Sequence, residues 1–110
     1  MKLQFLDTSQ PGLRWFRQYY RDNPQLDKQK AFGSFKKARN AIKENPYLGH
    51  TFDDFDQVYQ YIIRETNFSI LYTIKHEVIW VIDIRDARGL RSSHALKRYI
   101  LELRNAHGLL

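Results

Sequence analysis

The residues of this 110-residue chain with most to do chemically are its arginines and lysines. From Arg85 to the C-terminus there are six, Arg85, Arg88, Arg91, Lys97, Arg98 and Arg104, against two acids, Asp86 and Glu102, a local balance of +4 in a chain of formal net charge +6. Guanidinium forks hold phosphates and carboxylates bidentately, so this tail suits an anionic partner. A second basic run, Lys28, Lys30, Lys36, Lys37, Arg39 and Lys43, meets no acid until Glu44. Cleavage of RNA without a metal needs a base for the 2′-hydroxyl, cations around the in-line phosphate and an acid for the leaving oxygen. Arg64, Lys75, His76, Arg85, Arg88, His94 and Tyr99 are residues of those types. The same cations also read as a solvated surface. Tyr59, Tyr61, Phe68, Tyr72 and Trp80, which could stack on bases, alternate at the spacing of residues that pack on a sheet.

Other chemistries find no foothold. There is no cysteine, which removes disulfides, thiolate catalysis and thiolate metal sites and fits a reducing compartment. The histidines, His50, His76, His94 and His107, show none of the paired helical spacings that build zinc sites, so no metal is expected. No glycine loop cradles a phosphate and no nucleophile elbow is present, so no cofactor is expected either. Asp53, Asp54 and Asp56 read as a solvated acidic turn. The chain opens on Met1-Lys2-Leu3-Gln4-Phe5 without a signal-like apolar run, and no stretch approaches the roughly 20 apolar residues of a membrane span; the expectation is a cytoplasmic protein with no membrane partner.

The elements that must position these side chains follow from punctuation and period. Leu3 and Phe5 alternate with polar neighbours as in a short strand. Thr8-Ser9-Gln10-Pro11 then supplies an N-cap hydroxyl and a first-turn proline for a helix with Leu13, Phe16 and Tyr20 on one face, which Asn23-Pro24 stops. Asp27 caps a second helix with Phe32, Phe35 and Ile42 on its apolar face and the lysines on the other, stopped in turn by Asn45-Pro46. The segment from Tyr47 to Gln57 reads as a loop. Three strand-like runs follow, 58–63, 68–74 and 78–82, the last continuously apolar as in a central strand covered on both faces. Glu65-Thr66-Asn67 and Lys75-His76-Glu77 are short enough to be hairpin turns, which favours antiparallel pairing. Ser92 or Ser93 caps a last helix, with Leu96, Tyr99, Ile100 and Leu103 inward and Gly108 at its end. The expected fold is α+β, a single β-α-α-β-β-β-α domain over residues 1–110, with an antiparallel sheet packed against a helical hairpin and a C-terminal helix.

This order, the string Asn45-Pro46-Tyr47-Leu48-Gly49, the pair of runs Thr66-Asn67-Phe68-Ser69-Ile70-Leu71-Tyr72-Thr73-Ile74 and Val78-Ile79-Trp80-Val81-Ile82, and the exit Asp83-Ile84-Arg85-Asp86-Ala87-Arg88 together resemble the RelE/ParE superfamily of toxins, over nearly the whole chain. The resemblance implies a growth-inhibiting bacterial or phage toxin, neutralised in a hetero-oligomer by a cognate antitoxin whose disordered segment folds onto its basic surface. The superfamily contains ribosome-dependent messenger RNA endoribonucleases resembling RelE, and proteins resembling ParE that poison DNA gyrase without cutting RNA. The chain departs from the nuclease pattern: an arginine of that pattern is matched by Ser69, the basic pair near the preceding strand is reduced to Arg64, and only the later arginine finds a match, in Arg88. The exit sequence resembles ParE. The first expectation is therefore a ParE-like toxin contacting antitoxin or target through Lys36, Lys37, Arg85, Arg88, Arg91, Lys97 and Arg98. The second is a RelE-like nuclease acting on messenger RNA in the ribosome through Arg64, Arg88, His94 and Tyr99. The third is a non-toxic RNA-binding domain, whose binding would weaken steeply with salt.

Overall fold

The computed structural model describes residues 1–53, 55–89 and 92–109. Strand β1 (Lys2–Phe5) leads through a 3-10 turn into helix α1 (Gln10–Asp22) and helix α2 (Lys28–Glu44), then β2 (His50–Thr51), β3 (Tyr59–Ile62), β4 (Phe68–Lys75), β5 (Val78–Asp86) and helix α3 (Ser92–His107). One five-stranded sheet has the order β1-β5-β4-β3-β2. The neighbouring strands β2 to β5 pair antiparallel, as short connections require. β1 instead runs parallel to β5, Lys2 beside Val78 and Phe5 beside Val81, so the sheet is mixed. The expected sheet was antiparallel throughout; the parallel edge arises because the helical hairpin and the meander lie between β1 and β5, so no short turn sets their direction. The parallel partner supplies β5 with its second neighbour, and the apolar run 78–82 is the covered central strand its composition predicts.

Helices lie on both faces. Leu13, Phe16 and Tyr20 of α1 and Ala31, Ala38 and Ile42 of α2 pack with Ile70, Tyr72, Ile79 and Val81 of the sheet. Ala95, Tyr99 and Leu103 of α3 cover Leu71, Trp80 and Ile82 on the opposite side. Phe16 is the hub of the first layer, with ring centres 4.9 Å from Phe68 and 5.3 Å from Phe35 in edge-on contact. Removing such a ring by Phe16→Ala costs about 3–5 kcal/mol. Phe32, expected inside, sits at the rim, 37% exposed, touching Phe16 and Tyr20.

Three local devices fix the connections. Between Tyr72–Val81 and Leu71–Asp83 the register slips, leaving Ile82 as an extra residue on β5. The bulge reverses the alternation beyond it, so Ile84 joins the hairpin layer while Arg85 faces the α3 side beside Phe52. The Tyr72 hydroxyl donates to the Pro46 carbonyl (2.8 Å) and accepts from the Gly49 amide (3.0 Å), bolting the segment after α2 to β4. A Cβ at Gly49 would meet that hydroxyl at 2.6 Å, which explains glycine there and lets the expected loop form the two residues of β2. The β4–β5 turn places His76 and Glu77 at φ of 52° and 62°, the left-handed pair of a type I′ turn without the usual Asn-Gly.

Candidate functional site: a basic groove beside the second helix

Asp27 caps α2 by accepting from the Lys30 amide (3.0 Å), and the helix then presents small side chains, Gly33, Ser34, Ala38 and Ala41, toward β3. The result is a groove of about 840 Å³ with Tyr61 and Ile62 on the sheet side and Lys30, Lys37, Arg64 and Glu65 around it. Past Lys30 and Glu65 it continues into a second hollow of about 460 Å³ bounded by Tyr19, Tyr20, Leu26 and Asn67. Where the two meet, Lys30 Nζ and the Glu65 carboxylate form an ion pair at 2.9 Å. The hydrogen bond and charge of Glu65 raise the Lys30 pKa above its usual value. Lys36 is exposed on the same helix.

Arg88 is engaged elsewhere. Its Nε and one terminal nitrogen each donate to the Asp86 carboxylate at 3.0 Å, its own amide donates to Asp86 Oδ1, and its guanidinium lies 4.1 Å from the centre of the Tyr19 ring. Trp15 Nε1 adds a fourth donor to Asp86 at 2.8 Å. Burial works to raise the Asp86 pKa, but the donors from Arg88 and Trp15 outweigh it and the carboxyl titrates below its usual value. This network ties the end of β5 to α1. Arg85, three residues earlier, is half-buried on the other face, with its guanidinium 5.3 Å from the Phe52 ring centre. Their odd spacing puts the two arginines on opposite sides of the sheet, and the bulge at Ile82 decides which side each takes.

The residues expected for RNA cleavage divide in the same way. Arg64 and Arg88 lie on the hairpin side, while His94 and Tyr99 belong to α3 across the sheet. Tyr99 is 7% exposed and packs in the α3 layer; burial raises its phenol pKa, with Asp56 adding to the rise. Lys97 and Arg98 are exposed on α3, and Arg91 lies outside the described residues. Phe68, Tyr72 and Trp80 are buried, and Tyr59 and Tyr61 pack partly against the hairpin layer, so these aromatics are core and not a stacking platform.

Lys30 belongs to the basic run, Glu65 to a hairpin turn and Asp83 to the strand exit, but none of the three was expected at a site. Asp83 had a signal, a single acid inside the apolar run of β5. It is 3% exposed at the floor of a cavity of about 330 Å³ between the starts of α1 and α3, with Thr8, Pro11, Gly12 and His94 on its walls. Asp83 Oδ1 accepts from the Ile84 amide (2.8 Å), and a Cβ at Gly12 would collide with that oxygen. The carboxylate therefore sits where the first turns of two helices meet. No helix among the described residues is long and apolar enough to cross a membrane. No protein-family model matches the chain, and no curated protein sequence matches it significantly.

Proposed function

We propose that this protein is the toxin of a bacterial type II toxin–antitoxin pair, a ParE-like member of the RelE/ParE superfamily that acts in the cytoplasm by protein contact on DNA gyrase. It is held inactive in a hetero-oligomer by its cognate antitoxin. The element order and the strings around Asn45-Pro46 and Asp83-Ile84-Arg85-Asp86 support the superfamily, and the antiparallel meander behind a helical hairpin agrees with it. The observation that carries the choice of branch is the placement of the would-be nuclease residues. Arg88 is bound bidentately to Asp86, and Tyr99 is buried on the far side of the sheet. In-line cleavage needs its cations, base and acid around one phosphate, and these four residues do not converge on one.

The direct test is a supercoiling assay with purified gyrase and relaxed plasmid. The protein is expected to block supercoiling or to accumulate cleaved plasmid, and the purified antitoxin to reverse it. Full gyrase activity at excess protein, with cleavage of messenger RNA on the ribosome, would instead place the protein in the RelE-like branch.

A further inference from the structure

We propose that the groove beside α2 binds an acidic peptide segment and that Glu65 is its built-in competitor, holding Lys30 in the free protein and yielding it when the segment enters. The walls supply Lys30, Lys37 and Arg64, while the space between them is bounded by small or apolar groups, Ala38, Ala41 and Tyr61. A segment that alternates carboxylates with small apolar side chains meets both. From Lys30 to Ala41 the helix rises roughly 16 Å, the length of about five residues of extended chain. The sheet side is open to such a chain, because β2 pairs with Tyr59 and Gln60, and Ile62 at the end of β3 is 59% exposed.

Glu65 is the anomaly in this wall. Its backbone has φ of 62°, a conformation that glycine or asparagine adopts more readily than glutamate. From that position its carboxylate spans the groove to Lys30 at the junction of the two hollows. Both partners are about three-fifths exposed, so the pair is weak. It is a latch that one incoming carboxylate can replace. Free Glu65 would also repel the acidic occupant, so its removal favours binding twice over.

The natural source of the segment, a cognate antitoxin, rests on the toxin reading above; the peptide chemistry does not. The test uses the purified full chain and a fluorescein-labelled dodecapeptide made of three Glu-Leu-Glu-Ala repeats, followed by anisotropy. The wild type is expected to bind saturably, the double variant Lys37→Ala/Arg64→Ala to bind at least roughly tenfold more weakly, and Glu65→Gln to bind two- to about fivefold more tightly, the range of an exposed ion pair. Glu77→Gln makes the same change of charge in the β4–β5 turn and should leave the affinity unaltered. Absence of binding, an unchanged double variant, an unchanged or weaker Glu65→Gln, or equal tightening by Glu65→Gln and Glu77→Gln would each overturn the proposal. Neither gyrase nor growth enters this measurement, so failure here leaves the toxin reading standing, and failure of the gyrase assay leaves the groove and its latch standing.

Discussion

Asp83 is 3% exposed within β5, where an ionised carboxylate is costly to bury. Burial raises its carboxyl pKa from 3.8 to about 6, only partly offset by Ser92 and the Ile84 amide. A folded-state pKa above the unfolded value means that the carboxylate destabilises the fold when ionised. The protonated form is favourable throughout the range below about 4, and the advantage is lost as pH rises through about 6. The accumulated cost at neutral pH is about 3 kcal/mol. Asp83→Asn is therefore expected to raise stability toward urea by up to about 3 kcal/mol at pH 7.5 and to change it little at pH 4. An equal effect at both pH values would contradict the ionised, buried carboxylate. Arg88 carries the opposite sign. Asp86 titrates low, so its pairing stabilises the fold above the ordinary carboxylate range and fades as pH falls through the lowered value. With Arg88 partly exposed, Arg88→Ala should cost about 1–3 kcal/mol in urea unfolding, and Arg88→Lys should recover only part of it because the fork is lost. On the toxin proposal, Arg88→Ala reports on a contact only where the variant remains folded. Sequence alone placed Arg88 on a basic exit; the pairing with Asp86, two residues before it, and the donor from Trp15, 71 residues away, became visible only in the folded chain.

At the scale of elements, boundaries with a chemical signature were readable and those made by tertiary pairing were not. Asn23-Pro24 and Asn45-Pro46 ended their helices and Asp27 began one, because proline restricts the residue before it and an Asx side chain caps an amide. The bulge at Ile82 has no such signature in a run of apolar residues, yet it decides which face of the sheet Arg85 takes. The same holds for β1, whose parallel partner lies more than seventy residues away. The β4–β5 turn gives a direct check on the backbone. His76→Asn with Glu77→Gly supplies residues suited to positive φ and should stabilise the protein by about 1 kcal/mol, read as a higher midpoint in thermal or urea unfolding. A destabilised double variant would show that the turn is not of type I′. Tyr72→Phe removes the hydroxyl that joins Pro46 and Gly49, and should cost about 1–2 kcal/mol and loosen amide protection at Gly49 in hydrogen exchange.

At the scale of the molecule, charge and core are segregated. The aromatic hairpin layer and the α3 layer hold the sheet between them, and the cations remain outside on α2, around Arg64 and along α3. Composition made the basic surface plain, but not the groove, which depends on small residues of α2 standing opposite β3. A toxin that works through such surfaces should lose activity gradually as single cations are removed, whereas a nuclease should lose it abruptly at one residue. The most direct test of the central claim is to express the chain without its antitoxin in a sensitive bacterium and follow growth, plasmid topology and messenger RNA 5′ ends together. The account predicts growth arrest with altered plasmid supercoiling and intact messages. Codon-periodic cleavage of messages during arrest would contradict the ParE-like mechanism, and undisturbed growth at high expression would contradict the toxin itself.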